Sequence, residues 1–388
     1  MKNKVIIIGL SCLTVLVFQA ILLTGIARKA VPFSYFGNHI SNKGNWPSIA
    51  IGSLRMWDDN TSWELVEKSR GEYDWSAIDY WLGQAESRGI NVVYTFGYSP
   101  AWARAGGKGI DPPLYTVYWD EFVTALVSRY KGRIKFYEGW NESNDPGFWS
   151  GTIEKAVELQ KNAYRIIHRI DPVAKVITPP PTADHAAVWL DKFFEAGGGK
   201  YADIISFHGY THPTSEEIVG LVKNVRSVMR KYGQNRKPLW VSEGGWGKVD
   251  DLSDPDLQAA FLAKHYLLLW SNDVERFYWY SWDNDPWGTL WDKQNGIHKA
   301  GIAYREVQKW MVGSTMVNPC SMDKDSTWTC GLRLADGSWG LAVWNSKHAQ
   351  DYRPKDNFIQ GLDLQGNSFA VNGFVTIGNN PVLLKGKK

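Results

Sequence analysis

Short apolar runs alternate with longer amphipathic segments along most of the chain. The apolar runs are rich in β-branched and aromatic residues, and Gly, Pro, Asp or Asn bounds most of them, as is typical of β-strands. They predict eight strands, at residues 33–38, 51–57, 91–96, 134–140, 174–178, 204–207, 239–242 and 276–281. Most of the segments between them have helical spacing; in 153–170 the apolar residues form one stripe before Pro172 ends the helix.

Strands that alternate with helices favour a parallel sheet. Eight such strands over about 280 residues favour a closed (β/α)8 TIM barrel over an open doubly wound sheet, so the predicted fold class is α/β. The connection between the first two strands, around 41–48, is too short for a full helix and is the weakest unit of the pattern.

The pattern changes beyond about Val312. Short strands are predicted at residues 332–334, 339–344, 369–371 and 374–377, and Asp-Gly, Gly-Asn and Asn-Gly pairs between them are turn signals. We therefore predict an N-terminal segment over 1–30, a barrel over 31–312, and a small antiparallel β-sandwich-like domain over 313–388.

The N-terminal segment has the pattern of an export signal. Lys2 and Lys4 precede an uncharged, mostly apolar run over 5–26, and Arg28 follows it. The run is just long enough to span a bilayer, which needs about 20 residues. A cleaved leader and an uncleaved membrane anchor fit equally well. Either one places the barrel outside the cytoplasm, in the periplasm, outside the cell or held at the membrane.

The amino-acid composition narrows the classes of binding partner that we expect. The 43 Lys and Arg residues nearly balance 40 Asp and Glu residues, with no long basic run to follow a phosphate backbone, so we expect no nucleic-acid partner. The chain also has 21 Trp, 18 Tyr and 15 Phe residues. Trp packs well under flat hydroxylated ligands, and equally well in a core. We otherwise expect a monomer.

Cys320 and Cys330 lie close together near the C-terminal end. In an oxidising compartment they would close a short loop and add about 2–3 kcal/mol of stability. Two free buried thiols are the alternative, and export favours the disulfide. We expect no metal site there, because no His or third Cys follows at ligand spacing.

Two carboxylates stand at the predicted C-terminal ends of strands four and seven, the end at which barrel sites collect. Strand four runs into Asn141-Glu142, and strand seven runs into Glu243. Their separation corresponds to three βα units, in agreement with the strand count. At about 5–5.5 Å apart, two carboxyl groups suit a double displacement at a glycosidic bond. One must be ionised to attack, and the other needs a raised pKa to hold a proton.

These strand ends resemble glycoside hydrolase clan A, and within it most closely family 39 and its bacterial exopolysaccharide-hydrolase relatives. The resemblance covers the whole barrel, residues 33–312, and extends to the C-terminal β region. In that clan an Asn-Glu pair after strand four supplies the acid/base, and a Glu ending strand seven is the nucleophile, which implies these roles for Glu142 and Glu243. The family often has Asn-Glu-Pro, whereas this chain has Ser143, a departure that weakens the family assignment more than the clan assignment.

The resemblance and the strand ends imply further roles. Asn141 would hydrogen-bond the substrate 2-hydroxyl. Arg55 would keep Glu243 ionised through a charge-assisted hydrogen bond, or form a salt bridge at the barrel rim. Tyr210 would hydrogen-bond the nucleophile. His208 would line the sugar site, or be a structural histidine.

Aromatic residues at the other strand ends complete the predicted site. Trp282, after strand eight, would form an apolar floor beneath the sugar. Flanking subsites, or core and rim packing, are predicted for Asn38, Trp57, Trp102, Trp246 and Trp287.

The function that follows is a retaining glycoside hydrolase that cleaves internal bonds of a polysaccharide or oligosaccharide. An exo-acting, xylosidase-like enzyme and a transglycosylase are the enzymatic alternatives, and a non-catalytic carbohydrate-binding scaffold is the alternative from another class. The sequence has no Gly-rich phosphate loop and no Gly-x-Ser-x-Gly elbow. Hydrolysis by two carboxylates needs no cofactor and no metal.

Overall fold

The computed structural model describes residues 29–41, 45–248, 252–284, 287–355 and 358–387. The apolar run of the predicted export segment lies outside these residues, so the leader or anchor stays a prediction. Among the residues described, no helix has both the length and the apolarity that crossing a bilayer requires.

Eight parallel strands form the centre of the molecule. Their bounds are β1 Phe36–Asn38, β2 Ser53–Met56, β3 Asn91–Thr95, β4 Phe136–Glu138, β5 Lys175–Ile177, β6 Ile205–His208, β7 Leu239–Gly244 and β8 Arg276–Trp279. Hydrogen-bonded neighbours follow the order β5-β4-β3-β2-β1-β8-β7-β6, and a parallel bridge between Ile177 and Ile204 joins the two ends. The sheet therefore closes, and the predicted (β/α)8 barrel is confirmed.

Helices surround this sheet. They are α1 Trp63–Val66, α2 Ser76–Glu86, α3 Thr116–Arg129, α4 Ile153–Ile170, α5 Ala186–Glu195, α6 Ile218–Lys231, α7 Pro255–Ser271 and α8 Lys299–Met311. Thr152 caps α4 by accepting a hydrogen bond from the Lys155 backbone N–H. Asp254 caps α7 in the same way, ahead of a proline in its first turn. From Gln258 to Ser271, α7 is buried on every side, because it contacts α6, α8 and the sheet that follows the barrel.

The first barrel unit departs from prediction. Residues Phe33–Tyr35 form a 3₁₀ turn, in which the Tyr35 N–H donates to the Pro32 carbonyl. Pairing with β8 begins only at Phe36, so the predicted strand over 33–38 is wrong in its first half. No helix lies between β1 and β2 among the described residues 39–41 and 45–52.

Antiparallel strands follow the last strand of the barrel. A two-stranded hairpin, β9 Trp291–Asp292 and β10 Gly296–Ile297, precedes α8. After α8 come β11 Thr315–Met322, β12 Thr327–Arg333, β13 Trp339–Asn345, β14 Gln350–Tyr352, β15 Phe358–Leu362, β16 Ser368–Ala370, β17 Val375–Ile377 and β18 Val382–Gly386. Six of them form a sheet in the order β11-β12-β13-β18-β15-β16, and β14 pairs with β17. The predicted antiparallel region is confirmed, although β11, β14, β15 and β18 were not predicted.

The C-terminal sheet packs directly on the barrel. Leu332, Trp344 and Leu383 belong to the same buried apolar cluster as the barrel helices. A disulfide joins Cys320 on β11 to Cys330 on β12. The division of the chain at residue 312 stays a prediction, since the apolar core is continuous across it.

Candidate active site

A cavity of about 1110 Å³ opens at the C-terminal ends of the barrel strands. Asn141 and Glu142 line it just after β4, Glu243 lines it from the end of β7, and Tyr280 lines it just after β8. The volume exceeds the range of about 300–1,000 Å³ that is usual for small-molecule pockets. This cavity is the candidate active site.

The two predicted carboxylates meet in the cavity. Glu142 is 8% exposed and Glu243 is 7% exposed. One carboxylate oxygen of each, together with one ring nitrogen of His208, all lie within 4.8 Å of one another. Carboxyl groups about 5–5.5 Å apart are typical of double displacement, whereas inverting enzymes hold them about 6.5–9.5 Å apart. The observed proximity suits double displacement.

Arg55 organises the floor of the site from the interior of the barrel. Its side chain on β2 is fully buried. Its Nη1 donates to Glu243 Oε2 at 2.8 Å, its Nη2 donates to Asn141 Oδ1 at 2.6 Å, and its Nε donates to Glu138 Oε2 at 2.6 Å. One guanidinium therefore positions three side chains that lie 83 to 188 residues away along the chain.

Glu138 is a site residue that the sequence analysis missed. It is fully buried at the end of β4, where it also accepts hydrogen bonds from Thr95 Oγ1 and Ser206 Oγ, both at 3.1 Å. Phe136, two residues earlier, packs inside the barrel, so Glu138 points to the same interior. A carboxylate at an inward-facing position of an otherwise apolar strand is the sequence signal that could have identified Glu138.

His208 contacts the predicted acid rather than the cavity. Its Nδ1 lies 2.6 Å from Glu142 Oε1, and its Nε2 lies 3.4 Å from Arg55 Nη2. Burial lowers the pKa of His208 to about 4, so the ring is neutral at pH 7. A guanidinium can only donate, so Nε2 is the acceptor and Nδ1–H donates to Glu142. Neither ring nitrogen is then free for a metal ion, although the Glu142–His208–Glu243 cluster has ligand-like spacing.

Tyr210 contacts the other carboxylate. Its hydroxyl donates to Glu243 Oε1 at 2.7 Å. Burial raises the pKa of Tyr210 well above its ordinary value, so the hydroxyl keeps its proton and remains a donor. Both oxygens of Glu243 therefore accept one hydrogen bond, from Tyr210 and from Arg55, and both bonds favour the ionised carboxylate.

The electrostatic surroundings of the two carboxylates differ. Burial raises the pKa of Glu142 to about 7; Arg55 opposes this, and the negative charges of Asp145 and Asp184 add to it. Burial also raises the pKa of Glu243, against the opposing effect of the Arg55 guanidinium. Because Glu243 has the direct guanidinium contact and Glu142 does not, the proton belongs on Glu142 and the charge belongs on Glu243.

Aromatic side chains form the walls. Trp57 lines the cavity and stacks on Tyr98, with ring centroids 5.2 Å apart. Trp246 and Trp287 also line it, and Trp287 contacts Tyr210 at 5.8 Å between centroids. Three of the predicted flanking aromatic residues are therefore at the cavity, with Tyr98 as an addition that was not predicted.

Besides Arg55 and His208, three predicted residues are not among the described residues that line the cavity. Trp282 is 2% exposed and stacks on Trp291, so the apolar floor predicted for it is wrong. Asn38 is fully buried on the helix-facing side of β1. Trp102 packs edge-on against Trp63 and donates its indole N–H to a backbone carbonyl, outside the cavity.

Tyr280 lines the cavity in the place predicted for Trp282. Its hydroxyl bonds to the Asp58 carboxylate, and it accepts a hydrogen bond from Asn284 Nδ2. Asp58 also lines the cavity, and burial raises its pKa to about 6. Asp58 directly follows Trp57 at the end of strand two, so its position in the sequence was the signal for it.

Solved structures with the same fold are glycoside hydrolases. A family 39 glycoside hydrolase from Bacteroides cellulosilyticus WH2 is 20% identical with a TM-score of 0.73, over 87% of this chain and 76% of that chain. A family 39 β-xylosidase from Caulobacter crescentus is 17% identical with a TM-score of 0.68, over 93% and 98%. A family 30 endoxylanase from Clostridium papyrosolvens C71 is 13% identical with a TM-score of 0.64, over 93% and 98%. The chain therefore shares the barrel fold of these three enzymes.

The family follows from the sequence. The glycosyl hydrolase catalytic core family matches residues 79–304, more than half of the chain, and the chain belongs to that family. Endo-1,4-beta-xylanase 1 of Gibberella zeae is 25% identical over 199 residues, with 46% of this chain and 51% of the relative covered. Endo-1,4-beta-xylanase A of Fusarium oxysporum f. sp. lycopersici is 25% identical over 165 residues, 39% and 50%. The chain spans about half the length of these curated relatives.

Proposed function

We propose that this protein is a retaining glycoside hydrolase with Glu243 as nucleophile and Glu142 as acid/base. The observation that carries the proposal is the approach of the two carboxylates to within 4.8 Å, with Arg55 bound to one and not to the other. Membership of the glycosyl hydrolase catalytic core family supports the same class of reaction.

In the first step, a Glu243 oxygen attacks the anomeric carbon and the bond to the leaving oxygen breaks. Glu142 transfers its proton to that oxygen. Oε1 of Glu142 accepts from His208, so the proton is carried on Oε2. In the second step Glu142 removes a proton from water, the water oxygen bonds to the anomeric carbon, and the bond to Glu243 breaks. Both glutamates then have their starting protonation.

Two neighbours assist this chemistry. Tyr210 and Arg55 hold the two oxygens of Glu243, so that the attacking carboxylate needs little reorganisation. Arg55 also holds the Asn141 carbonyl oxygen, which leaves the Asn141 amide N–H groups to donate to the substrate 2-hydroxyl.

The substrate we propose is a polysaccharide or oligosaccharide, and we propose that the enzyme cuts its internal bonds. The size of the cavity and its aromatic walls support more than one bound sugar ring, and the curated relatives are endoxylanases. Exo action is the second candidate, because a β-xylosidase is among the structural neighbours. Product sizes from a panel of plant and bacterial polysaccharides separate the two. Export of the protein is part of the same proposal and rests on the N-terminal pattern.

The roles are tested with two alanine variants and an aryl glycoside that has a very good leaving group. Glu142→Ala should still form the glycosyl-enzyme, and added azide should give a glycosyl azide of retained configuration. Glu243→Ala should lose turnover of every substrate, by about 10⁴-fold or more. Glu154→Ala, an exposed position on α4, is the control and should behave as wild type.

Two results would contradict the assignment. One is an azide product of inverted configuration from Glu142→Ala, and the other is a Glu243→Ala variant that keeps its activity. Folding of each variant is checked by thermal unfolding, so that lost activity is not mistaken for lost structure.

A further inference from the structure

The loop between β6 and α6, residues 209–217, forms one wall of the candidate active-site cavity. The cavity-lining residues of this loop and of the first turns of α6 are Tyr210, Thr211, His212, Glu217, Gly220, Leu221 and Asn224. The inner end of the loop is fixed to the barrel, because the Gly209 N–H donates to the Glu243 carbonyl at 2.7 Å and the Tyr210 hydroxyl donates to the Glu243 carboxylate. The outer end of the loop is held by side-chain contacts.

Glu216 connects the outer end of the loop to two other parts of the molecule. Its Oε1 accepts hydrogen bonds from Trp344 Nε1 at 3.1 Å and from Ser346 Oγ at 2.8 Å, and lies 3.2 Å from Lys264 Nζ. Trp344 lies on β13 of the C-terminal sheet and Ser346 directly follows that strand, whereas Lys264 lies on α7. One carboxylate oxygen therefore joins the cavity wall, a barrel helix and the C-terminal sheet.

These contacts are shielded from water. The side chain of Glu216 is 14% exposed and that of Lys264 is 5% exposed, and Trp344 is fully buried. Lys264 Nζ also donates to Asn379 Oδ1, between β17 and β18, so the C-terminal region contacts both members of the ion pair. Hydrogen bonds to a charged group contribute more than those between neutral groups, and removing one partner of a buried pair leaves the other uncompensated. The contacts can therefore hold the outer end of the loop in one position.

The local turn transmits this hold to the cavity. Ser215–Glu217 form a 3₁₀ turn that leads directly into α6. Within this turn, Glu216 contacts the C-terminal sheet, and the next residue, Glu217, lines the cavity. Ser215 Oγ lies 3.1 Å from His265 Nδ1 on α7, which ties the same turn to the barrel. A shift of Glu216 would therefore move Glu217 and the start of α6 with it.

We propose that Glu216 is a positioning residue, through which the C-terminal sheet sets the outer wall of the cavity and thereby the affinity for substrates long enough to reach that wall. Glu216 is not among the described residues that line the cavity, so it acts through Glu217 and the start of α6. The inference rests on the proposed function for its kinetic consequence, but not for the positioning itself.

Hydrogen exchange of the full chain tests the positioning without any substrate. In Glu216→Ala, the backbone amides of residues 214–221 should exchange about tenfold faster than in wild type, because the turn loses its contacts to the sheet and to Lys264. Glu216→Gln keeps an oxygen to which Trp344 and Ser346 can donate, so it should recover most of the protection. Ser346→Ala removes one donor of the sheet and should lie between wild type and Glu216→Ala.

Glu306→Ala is the matched control. Glu306 is also a buried carboxylate on a barrel helix, its Oε1 lies 2.8 Å from Lys309 Nζ, and it packs beside Gly366 in the loop between β15 and β16. It is not among the described residues that line the cavity. Exchange at 214–221 should therefore stay as in wild type. Unchanged exchange of this segment in Glu216→Ala, or an equal increase in Glu306→Ala, would overturn the inference.

Kinetics distinguish positioning from a loss of stability. The substrates are an aryl β-xyloside, which is confined to the cleavage point, and xylopentaose, which extends along the cavity. In Glu216→Ala, the KM for the pentaose should rise about three- to tenfold while kcat changes less than about twofold, and neither constant for the aryl xyloside should change by more than about twofold. A loss of folded protein alone would lower kcat for both substrates equally, so equal losses would contradict the inference.

The inference and the proposed function fail in different ways. If wild type cleaves neither xyloside and Glu216→Ala still loosens residues 214–221, the proposed function fails for these substrates and the positioning stands. If wild type cleaves both and the exchange of residues 214–221 does not change in Glu216→Ala, the proposed function stands and the inference fails.

Discussion

Two arginine–glutamate pairs show how much burial changes the same contact. On the outer surface of the barrel, Arg133 donates to both oxygens of Glu86 at 2.8 and 2.9 Å, and both side chains are more than 40% exposed. In the barrel mouth, Arg55 donates to Glu243 at 2.8 Å, with side chains 0% and 10% exposed. The distances are alike, although the surface contact is bidentate and the buried contact is a single hydrogen bond. The main difference is in the surroundings.

The consequences of the two pairs are opposite in sign. At the surface, the hydrogen bond from Arg133 holds the pKa of Glu86 below its ordinary value. In the mouth, burial outweighs the guanidinium, and the pKa of Glu243 is raised. A buried pair costs desolvation that a surface pair does not, and in return it keeps charged groups at fixed positions in a water-poor site. The buried pair is therefore the one suited to catalysis.

The largest expected effect comes from removing Arg55, the cation that Glu138 and Glu243 share at the C-terminal end of the barrel. Arg55→Met leaves the buried Glu138 and Glu243 without their positive partner, which should lower the free energy of unfolding by about 3–5 kcal/mol at pH 7. Denaturant unfolding measures the loss. The deficit should shrink in acid, because protonated carboxyls no longer need the cation. A variant as stable as wild type would contradict the account of the mouth.

The next effect concerns Glu142 and depends on pH. Its pKa rises from about 4.5 to about 7 on folding, so the folded chain binds this proton more tightly than the unfolded chain. The contribution of Glu142 to wild-type stability therefore decreases as pH rises from about 4.5 to 7. Glu142→Gln lacks this group and should be more stable than wild type by about 1–3 kcal/mol at pH 8, with no such gain below pH 4.5. Unfolding curves across this pH range provide the measurement.

Two further observations sharpen the Glu142 prediction. Wild-type kcat/KM should fall above about pH 7, where Glu142 loses the proton it donates. With a substrate that has a very good leaving group, kcat/KM should no longer fall above this pH, because departure of that group needs no proton. The exposed Glu86 is the control. Its pKa is lowered, so Glu86→Gln should show a small effect of the opposite sign. A stability difference for Glu142→Gln that does not vary with pH would rule out the raised pKa.

The smallest expected effect is at the surface pair. Arg133→Met removes a cation of the same kind as Arg55→Met does, but water solvates the Glu86 carboxylate that remains. The free energy of unfolding should change by less than about 1 kcal/mol. A loss as large as that of Arg55→Met would remove the distinction between the two pairs.

Much of the architecture was predictable because local sequence patterns indicate its strands and helices. The alternation of apolar runs with amphipathic segments predicted eight strands, and the strand ends placed Glu142 and Glu243 on one rim. Arg55 and Tyr210 were also found from strand ends or from family resemblance. The strands of the C-terminal sheet were predicted only next to Asp-Gly, Gly-Asn or Asn-Gly turns, and β11, β15 and β18 of that sheet were missed.

The site residues that were misplaced or missed depend on how the chain turns after a strand. Trp282 and Tyr280 are two residues apart after β8, and the composition of the segment does not distinguish which ring faces the cavity. In the structure Tyr280 bonds to Asp58 at the mouth, whereas Trp282 stacks on Trp291 in the core. Asp58 follows strand two and Trp291 lies on β9, and no local pattern predicts either contact.

The sequence by itself determined the number and direction of the barrel strands, and hence which carboxylates reach the same rim. The periodicity of the side chains and the order of the strands along the sequence are local properties, so the sequence pattern predicts them. Only the tertiary structure decided the 4.8 Å approach, the exclusion of water around Glu142 and the sharing of Arg55 between Glu138 and Glu243. Distance and desolvation arise from segments up to 188 residues apart that meet when the barrel closes.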